Sequence, residues 1–203
     1  MASIITASLD LINPQGQRRP AAPLEQKVLE TFYGRRQAHP TWCWAAVAES
    51  IHTYYGLQGL SGFTSIWQCQ IAKCKMGVET CDAPSDPRNG CCEARRCWLN
   101  PDVDQSYVLS EILRDLGHLQ EDNPINGAIG LDAFRDEIMA DHPVPIRVKL
   151  PRNYHFLVVV GYDYLSRQIA IWDPESDEKR SIDIDGVEHS YGQWENSYLT
   201  AMQ

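Results

Sequence analysis

The sequence predicts an α+β fold, with helices first and an antiparallel sheet second. Up to about residue 140 apolar residues recur at helical spacing, whereas from about residue 141 short β-rich runs alternate with polar turns. The chain has 203 residues, 43% hydrophobic and 22% charged, which is ordinary for a globular protein. This length suits one domain with a core of its own. Because the helices come first and the strands second, we expect helices packed on one side of a single sheet.

The domain organisation follows the same change in pattern. Residues 1–24 are rich in proline, glutamine and arginine and show little periodicity, so we interpret them as an irregular N-terminal arm. We interpret residues 25–203 as a single domain, with a helical half at about 25–140 and a β-rich half at about 141–203.

Helices are predicted wherever apolar positions keep a helical period and a stop signal follows. In the second predicted helix Trp44, Val47, Ile51 and Tyr54 recur at this spacing, and Gly56 closes the segment. The predicted helices comprise residues 24–34, 41–56, about 64–73, 105–116 and 131–140. Between the third and fourth, "MGVETCDAPSDPRNGCC" is a loop rich in proline, glycine and aspartate.

Strands are predicted in the second half from β-rich runs separated by short polar turns. The runs are "VPIRVKL" (144–150), "HFLVVVGYD" (155–163), "QIAIWD" (168–173) and, as a fourth strand, "RSIDID" (180–185). The second and third runs are joined by a few polar residues, which predicts a hairpin whose open ends are adjacent.

The bulk properties exclude several classes of function. A net charge of −9 argues against a general nucleic-acid binder. No apolar run reaches the roughly 18 residues of a membrane span. The first residues lack the basic start and apolar core of a signal peptide, so we expect a cytoplasmic protein or one exported by a non-classical or specialised route. The sequence does not indicate an oligomeric state or require a cofactor.

Cys43 is the candidate nucleophile because it stands apart from the other six cysteines, between two tryptophans where a helix begins. A helix N-terminus or a neighbouring imidazolium lowers the pKa of a thiol and makes it reactive. The alternative is a buried core cysteine, since free cysteine is among the most buried residue types.

Among six histidines, His155 is the candidate base, because it opens the strongest apolar strand. Asp173 ends the next strand, and Pro174 stops that strand at once. In the predicted hairpin His155 and Asp173 face each other, so the carboxylate would accept Nδ1–H and fix the imidazole tautomer. The alternative is a pair of surface residues at strand ends.

The oxyanion of an acyl-transfer reaction needs two donors. The backbone N–H of Cys43 is one candidate, and the side-chain amide of Gln37, six residues upstream, is the other. His39 is also close to Cys43 in sequence, but we rank it as cleft lining at best.

The order Gln37, Cys43, His155, Asp173 resembles the papain-like cysteine proteases. The motifs that carry the resemblance are "WCWAA" at the cysteine, "HFLVVVGYD" at the histidine and "WDP" at the aspartate. Within this family the sequence resembles above all the compact bacterial branch, which includes effector proteases of plant pathogens. It covers about residues 37–200 and departs from papain itself by an Asp in place of Asn.

The resemblance implies a papain-like fold and a cysteine peptidase acting on protein or peptide substrates. Cys43 would attack the carbonyl, His155 would protonate the leaving amine, and water would then clear the thioester. An amidase, deamidase or transacylase could use the same site, because the thioester accepts water or an amine. A catalytically inactive binding module is the non-enzymatic alternative.

The remaining cysteines lie close together in the sequence and have no CxxC pair, which weakens a structural zinc site. They are Cys69, Cys74, Cys81, Cys91, Cys92 and Cys97. We favour at least one disulfide between this loop and the helix carrying Cys69, with zinc binding and free thiols as the alternatives.

Overall fold

The computed structural model describes residues 25–76, 108–120 and 124–202. The predicted N-terminal arm, 1–24, and the predicted loop from residue 77 onward lie outside these residues, as do Cys81, Cys91, Cys92 and Cys97.

Helices and strands follow one another in nearly the predicted order. The helices are α1 (Cys43–Leu57), α2 (Gln68–Met76), α3 (Leu109–Asp115), α4 (Leu131–Met139) and α5 (Val187–Tyr191). The strands are β1 (Gln26–Val28), β2 (Ile125–Asn126), β3 (Val144–Lys149), β4 (Tyr154–Asp163), β5 (Gln168–Asp173), β6 (Glu178–Asp183) and β7 (Gln193–Ser197).

The seven strands form one sheet in the order β2-β7-β3-β4-β5-β6, and β1 pairs with β4 beyond the end of β3. Every pairing is antiparallel. Both α1 and α4 pack against β4, the central and most deeply buried strand. The predicted α+β class with an antiparallel sheet is therefore confirmed.

The nucleophile helix α1 is buried along almost its whole length. The positions that predicted it, Trp44, Val47, Ile51 and Tyr54, all lie in the core. A 15-residue helix that is apolar on nearly every face can be accommodated only inside the protein. None of the helices in the described part of the chain is long and apolar enough to cross a membrane.

The predicted hairpin between β4 and β5 is present and fixes the end of the sheet where His155 and Asp173 lie. Its loop is held by Asp163, whose Oδ1 accepts the backbone N–H groups of Leu165 and Ser166 at 3.1 and 3.2 Å. Arg167 closes the turn with a φ of 56°, in the left-handed region.

The helix predicted at 24–34 is wrong, because residues 26–28 form strand β1. Leu29 and Phe32 are both buried, and their spacing of three imitates one face of a helix. In the folded chain Gln26–Val28 instead pairs with Gly161–Asp163 of β4. Tertiary pairing with an available sheet edge outweighs the weak local preference for helix.

Strands β2 and β7 and helix α5 were not predicted. The β7 sequence "QWENS" is polar, yet Asn196 and Ser197 are buried in it. Asn196 Nδ2 donates to Asn126 Oδ1 at 3.2 Å, and Ser197 Oγ donates to the Gly127 carbonyl at 3.0 Å. Hydrogen bonds that satisfy buried polar groups leave no trace in a hydrophobic pattern.

Candidate active site

Cys43 is the first residue of α1, with Trp42 at the N-cap. A turn leads into the helix, in which the Trp42 N–H donates to the His39 carbonyl at 3.0 Å. No side chain caps this helix end, and the first turn contains no acidic residue. The buried Cys43 sulfur therefore lies where first-turn amides favour negative charge.

His155 is the second residue of β4 and is buried. Its Nε2 lies 2.8 Å from Oδ1 of Asp173, the last residue of β5. Because Val158 pairs with Trp172, the register carries Asp173 to a position beside Leu157. His155 is thus a diagonal neighbour on the same face rather than the residue directly opposite, and diagonal pairs are within reach of a long side chain.

The predicted orientation of the imidazole is wrong in one detail. Asp173 accepts from Nε2, not from Nδ1. The bond of Asp173 to Nε2 leaves Nδ1 for the second partner, the Cys43 side chain, to which the imidazole is also hydrogen-bonded. The imidazole therefore bridges the thiol and the carboxylate, with one ring nitrogen for each.

The pKa of His155 is raised to about 10 by this environment. Burial opposes protonation and is the largest single influence, but hydrogen bonds to Asp173 and Cys43, together with their negative charges, outweigh it. Imidazolium is accordingly the favoured form at neutral pH.

Asp173 remains ionised for the complementary reason. Burial favours its neutral form, but the hydrogen bond with His155, the Glu175 N–H at 2.9 Å and the positive charges of His155 and Arg180 lower the pKa of the carboxyl. The carbonyl of Asp173 also accepts the Asp177 N–H at 2.8 Å, so the turn after β5 holds the residue at both ends.

Gln37 lies in the loop before α1, docked on the same turn. Its backbone N–H donates to the Pro174 carbonyl at 2.8 Å, one residue beyond Asp173. Its Nε2 donates to the Pro40 carbonyl at 3.0 Å, which leaves the second N–H of the amide for another acceptor. Its Oε1 is buried without a hydrogen-bond partner among the described residues.

The fold thus brings Cys43, His155 and Asp173 into one hydrogen-bonded set and attaches the Gln37 loop to the turn after Asp173. A model of the Peptidase_C39-like family matches residues 29–202, which include all four. The chain belongs to the Peptidase_C39-like family. This membership confirms the prediction of a papain-like cysteine protease.

Comparison with solved structures shows a papain-like fold. The crystal structure of xylellain, a cysteine protease from Xylella fastidiosa, matches this Peptidase_C39-like chain with a TM-score of 0.55 at 12% identity. The match covers 90% of this chain and 88% of that chain. At this identity the likeness shows the fold alone. No curated protein sequence matches the chain significantly.

The other histidines of this Peptidase_C39-like protein have different surroundings. His39 Nδ1 lies 3.3 Å from Thr41 Oγ1, and its ring packs on Trp42. His52 and His118 bond to each other at 2.8 Å inside the core, and His142 pairs with Glu137. His155 is the histidine bonded both to the Asp173 carboxylate and to the Cys43 side chain.

Three of the seven cysteines lie within the described residues. Cys43 and the exposed Cys74 carry free thiols. Cys69 is buried in α2 and is not one of the free thiols of the described residues. The described residues contain no group of three or more side chains placed to hold a metal ion.

The structure adds two buried polar residues next to this site that sequence reasoning missed. Glu49 lies on α1 and Gln68 begins α2, and both are almost inaccessible to solvent. The available signal was Glu49 itself, an acidic residue directly after the apolar run "WAAVA", because a carboxylate is rarely buried without a partner. Gln68 left no comparable signal.

Proposed function

We propose that this protein hydrolyses peptide bonds through a thioester formed on Cys43. The observation that carries the proposal is the position of His155, which bonds to Asp173 through Nε2 and to the Cys43 side chain at the start of α1. A thiol beside a buried, charge-stabilised imidazolium and a helix N-terminus has the surroundings of an activated nucleophile.

In the first half of the reaction the Cys43 thiolate attacks the carbonyl carbon of the substrate. The electron pair of the C=O bond moves onto oxygen, which accepts hydrogen bonds from the Cys43 N–H and the Gln37 amide. The oxyanion then re-forms the double bond as the C–N bond breaks. The leaving nitrogen takes the proton from His155, and the acyl group stays on sulfur as a thioester.

The second half returns the site to its starting state. Neutral His155 takes a proton from water as the water oxygen attacks the thioester carbonyl. The C–S bond breaks, the acid product leaves, and the thiolate and imidazolium are restored. Asp173 orients the ring throughout and stabilises its charged form without itself taking the proton.

Three finer predictions belong to this proposal. We propose residues 25–203 as one catalytic domain, which the family match to 29–202 supports. A disulfide from Cys69 is supported by its absence from the free thiols of the described residues. Export as a bacterial effector stays a prediction.

Peptide-library cleavage followed by mass spectrometry tests the function. Wild-type protein should cut peptide bonds, and a thiol-directed epoxide should alkylate Cys43 and stop cleavage. Release of ammonia or transfer to an added amine, without cleavage, would instead indicate the amidase, deamidase or transacylase alternatives. Absence of every Cys43-dependent reaction in folded protein would favour a binding module.

A further inference from the structure

Gln68 bridges the backbone on both sides of Gln37. Its Oε1 accepts the Ala38 N–H at 2.8 Å, and its Nε2 donates to the Arg36 carbonyl at 2.9 Å. A side-chain amide thereby offers the loop the same acceptor and donor that a neighbouring strand would offer. The irregular loop before α1 is thereby hydrogen-bonded to α2 on both sides of Gln37.

A third bond fixes the residue between. The Gln37 N–H donates to the Pro174 carbonyl at 2.8 Å, on the turn that follows Asp173. Consecutive residues 36–38 are therefore held from α2 on one side and from the β5 turn on the other. The direction in which the Gln37 side chain leaves the backbone is set by these contacts.

Glu49 connects the bridge to the helix of the nucleophile. Its buried carboxylate accepts hydrogen bonds from the side chain and the backbone N–H of Gln68. Arg35 Nε lies 3.9 Å away on the solvent side. With two N–H groups and one carbonyl oxygen, the Gln68 amide therefore bonds to Arg36, Ala38 and Glu49 together.

We propose that Gln68, anchored by Glu49 on α1, is the positioning residue that sets the Gln37 amide relative to Cys43. The inference rests on the proposed function, because it assigns Gln68 to the oxyanion site of that reaction. Gln68 has no contact with reacting atoms in this scheme and acts only through the loop.

The first variant is Gln68→Met, which keeps the length and volume of the side chain and removes its hydrogen bonds. A displaced oxyanion donor should lower kcat about 10- to 100-fold, with KM changed less than about threefold. Gln70→Met is the matched control, since Gln70 lies on the same helix, is exposed, and among the described residues accepts only the Trp67 N–H. It should keep kcat within about twofold of wild type.

Two further measurements separate positioning from a general loss of structure. Alkylation of Cys43 by iodoacetamide develops no oxyanion, so Gln68→Met should alkylate at the wild-type rate. In a double-mutant cycle, Gln68→Met should cost less than about twofold in kcat once Gln37→Ala is present. If Gln68→Met fails to fold, Gln68→Asn replaces it as the test. Gln68→Asn keeps the amide on a side chain one methylene shorter, and its kcat should lie between that of wild type and the value, lower by about 10- to 100-fold, expected of Gln68→Met.

The outcomes distinguish this inference from the function beneath it. Folded wild-type protein with no Cys43-dependent turnover overturns both. An active wild type in which Gln68→Met behaves like Gln70→Met overturns the inference alone. The inference is also overturned if the kcat losses of Gln37→Ala and Gln68→Met multiply in the double mutant. A rate of Cys43 alkylation that falls by the same factor as kcat in Gln68→Met overturns it as well.

Discussion

His155 Nε2 lies 2.8 Å from Asp173 Oδ1, although the two residues are not directly paired in the β4–β5 hairpin. The bond joins diagonal neighbours at the open end of the hairpin, and both residues are largely removed from solvent. In such surroundings a charge-assisted hydrogen bond is strong, and it holds the ring with its other nitrogen available to Cys43.

Loss of the nucleophile is the first test. Cys43→Ala and Cys43→Ser should abolish turnover, because neither side chain provides a thiolate, while the fold stays intact because both residues fit the space of a cysteine. Activity is measured as peptide cleavage, and the fold is checked by circular dichroism. A folded variant that keeps more than a few per cent of activity would show that Cys43 is not the nucleophile.

The base and its orienting residue should differ in severity. His155→Ala should lower kcat/KM by about 10²–10⁴, because the thiolate loses its charge partner and the leaving amine its proton donor. Asp173→Asn should lose less, since the amide oxygen can still accept Nε2–H. Asp173→Ala should fall between them. If Asp173→Ala matches wild type, the orienting residue lies elsewhere.

The same Asp173 variants should change the pH profile. A reaction that needs imidazolium is lost as pH rises through the His155 pKa, which is about 10 in the wild type. Removing the Asp173 charge lowers that pKa, so the alkaline limb of kcat/KM should move to lower pH in Asp173→Asn and further in Asp173→Ala. An unmoved limb would mean that Asp173 does not stabilise the charged ring.

Gly34→Ala should destabilise the loop before α1. A Cβ at Gly34 would lie 1.9 Å from Cε2 of Trp172, whose ring is held by Phe32 and by the Asp177 carboxylate. We expect unfolding free energy to fall by about 1–3 kcal/mol, measured by urea denaturation. Gly186→Ala is the control, because its Cβ would meet only ordinary contacts at 3.8 Å. Equal stability of the two variants would contradict the packing argument.

Thiol titration tests the cysteine cluster. Denatured, unreduced protein should show clearly fewer than seven free thiols. Cys74→Ser should lower the count by one, because Cys74 is free. Cys69→Ser should raise it by one, because a bonded partner is released. Seven free thiols with no metal released on denaturation would rule out both the disulfide and the zinc alternatives.

Acid should lower the free energy of unfolding because it protonates the buried pair of histidines, His52 and His118. Burial and the neighbouring His52 lower the pKa of His118 to about 4, whereas an unfolded histidine titrates near 6.5. The unfolded chain therefore binds the proton first, and stability is lost as pH falls from about 6.5 to about 4, by on the order of 3 kcal/mol.

Urea denaturation at pH 7 and pH 4.5 measures this loss. His118→Gln can still donate from Nε2 to His52 Nδ1 and should lose less stability on acidification than wild type. His189→Gln, at an exposed position, should lose as much stability on acidification as wild type. Identical pH dependence in His118→Gln would show that the pair does not control acid stability.

Part of the fold was readable from local pattern. The apolar spacing of α1, the amphipathic α4 and the hairpin formed by β4 and β5 are each specified by residues near one another in sequence. Strand β1 and the polar strand β7 were not, because each depends on pairing with a distant segment, β4 in one case and β2 and β3 in the other.

The sequence by itself determined the family, the α+β order and the candidate residues, because the motifs around Cys43, His155 and Asp173 are local. Only the tertiary structure decided that Asp173 bonds Nε2 rather than Nδ1, since ring orientation depends on the sheet register and on where α1 presents its sulfur. Only the tertiary structure decided that Gln68 bonds to the Gln37 loop, since Gln68 lies 30 residues from Ala38 in the sequence. Buried hydrogen bonds join groups that are far apart in the chain, and a one-dimensional pattern holds no record of such distances.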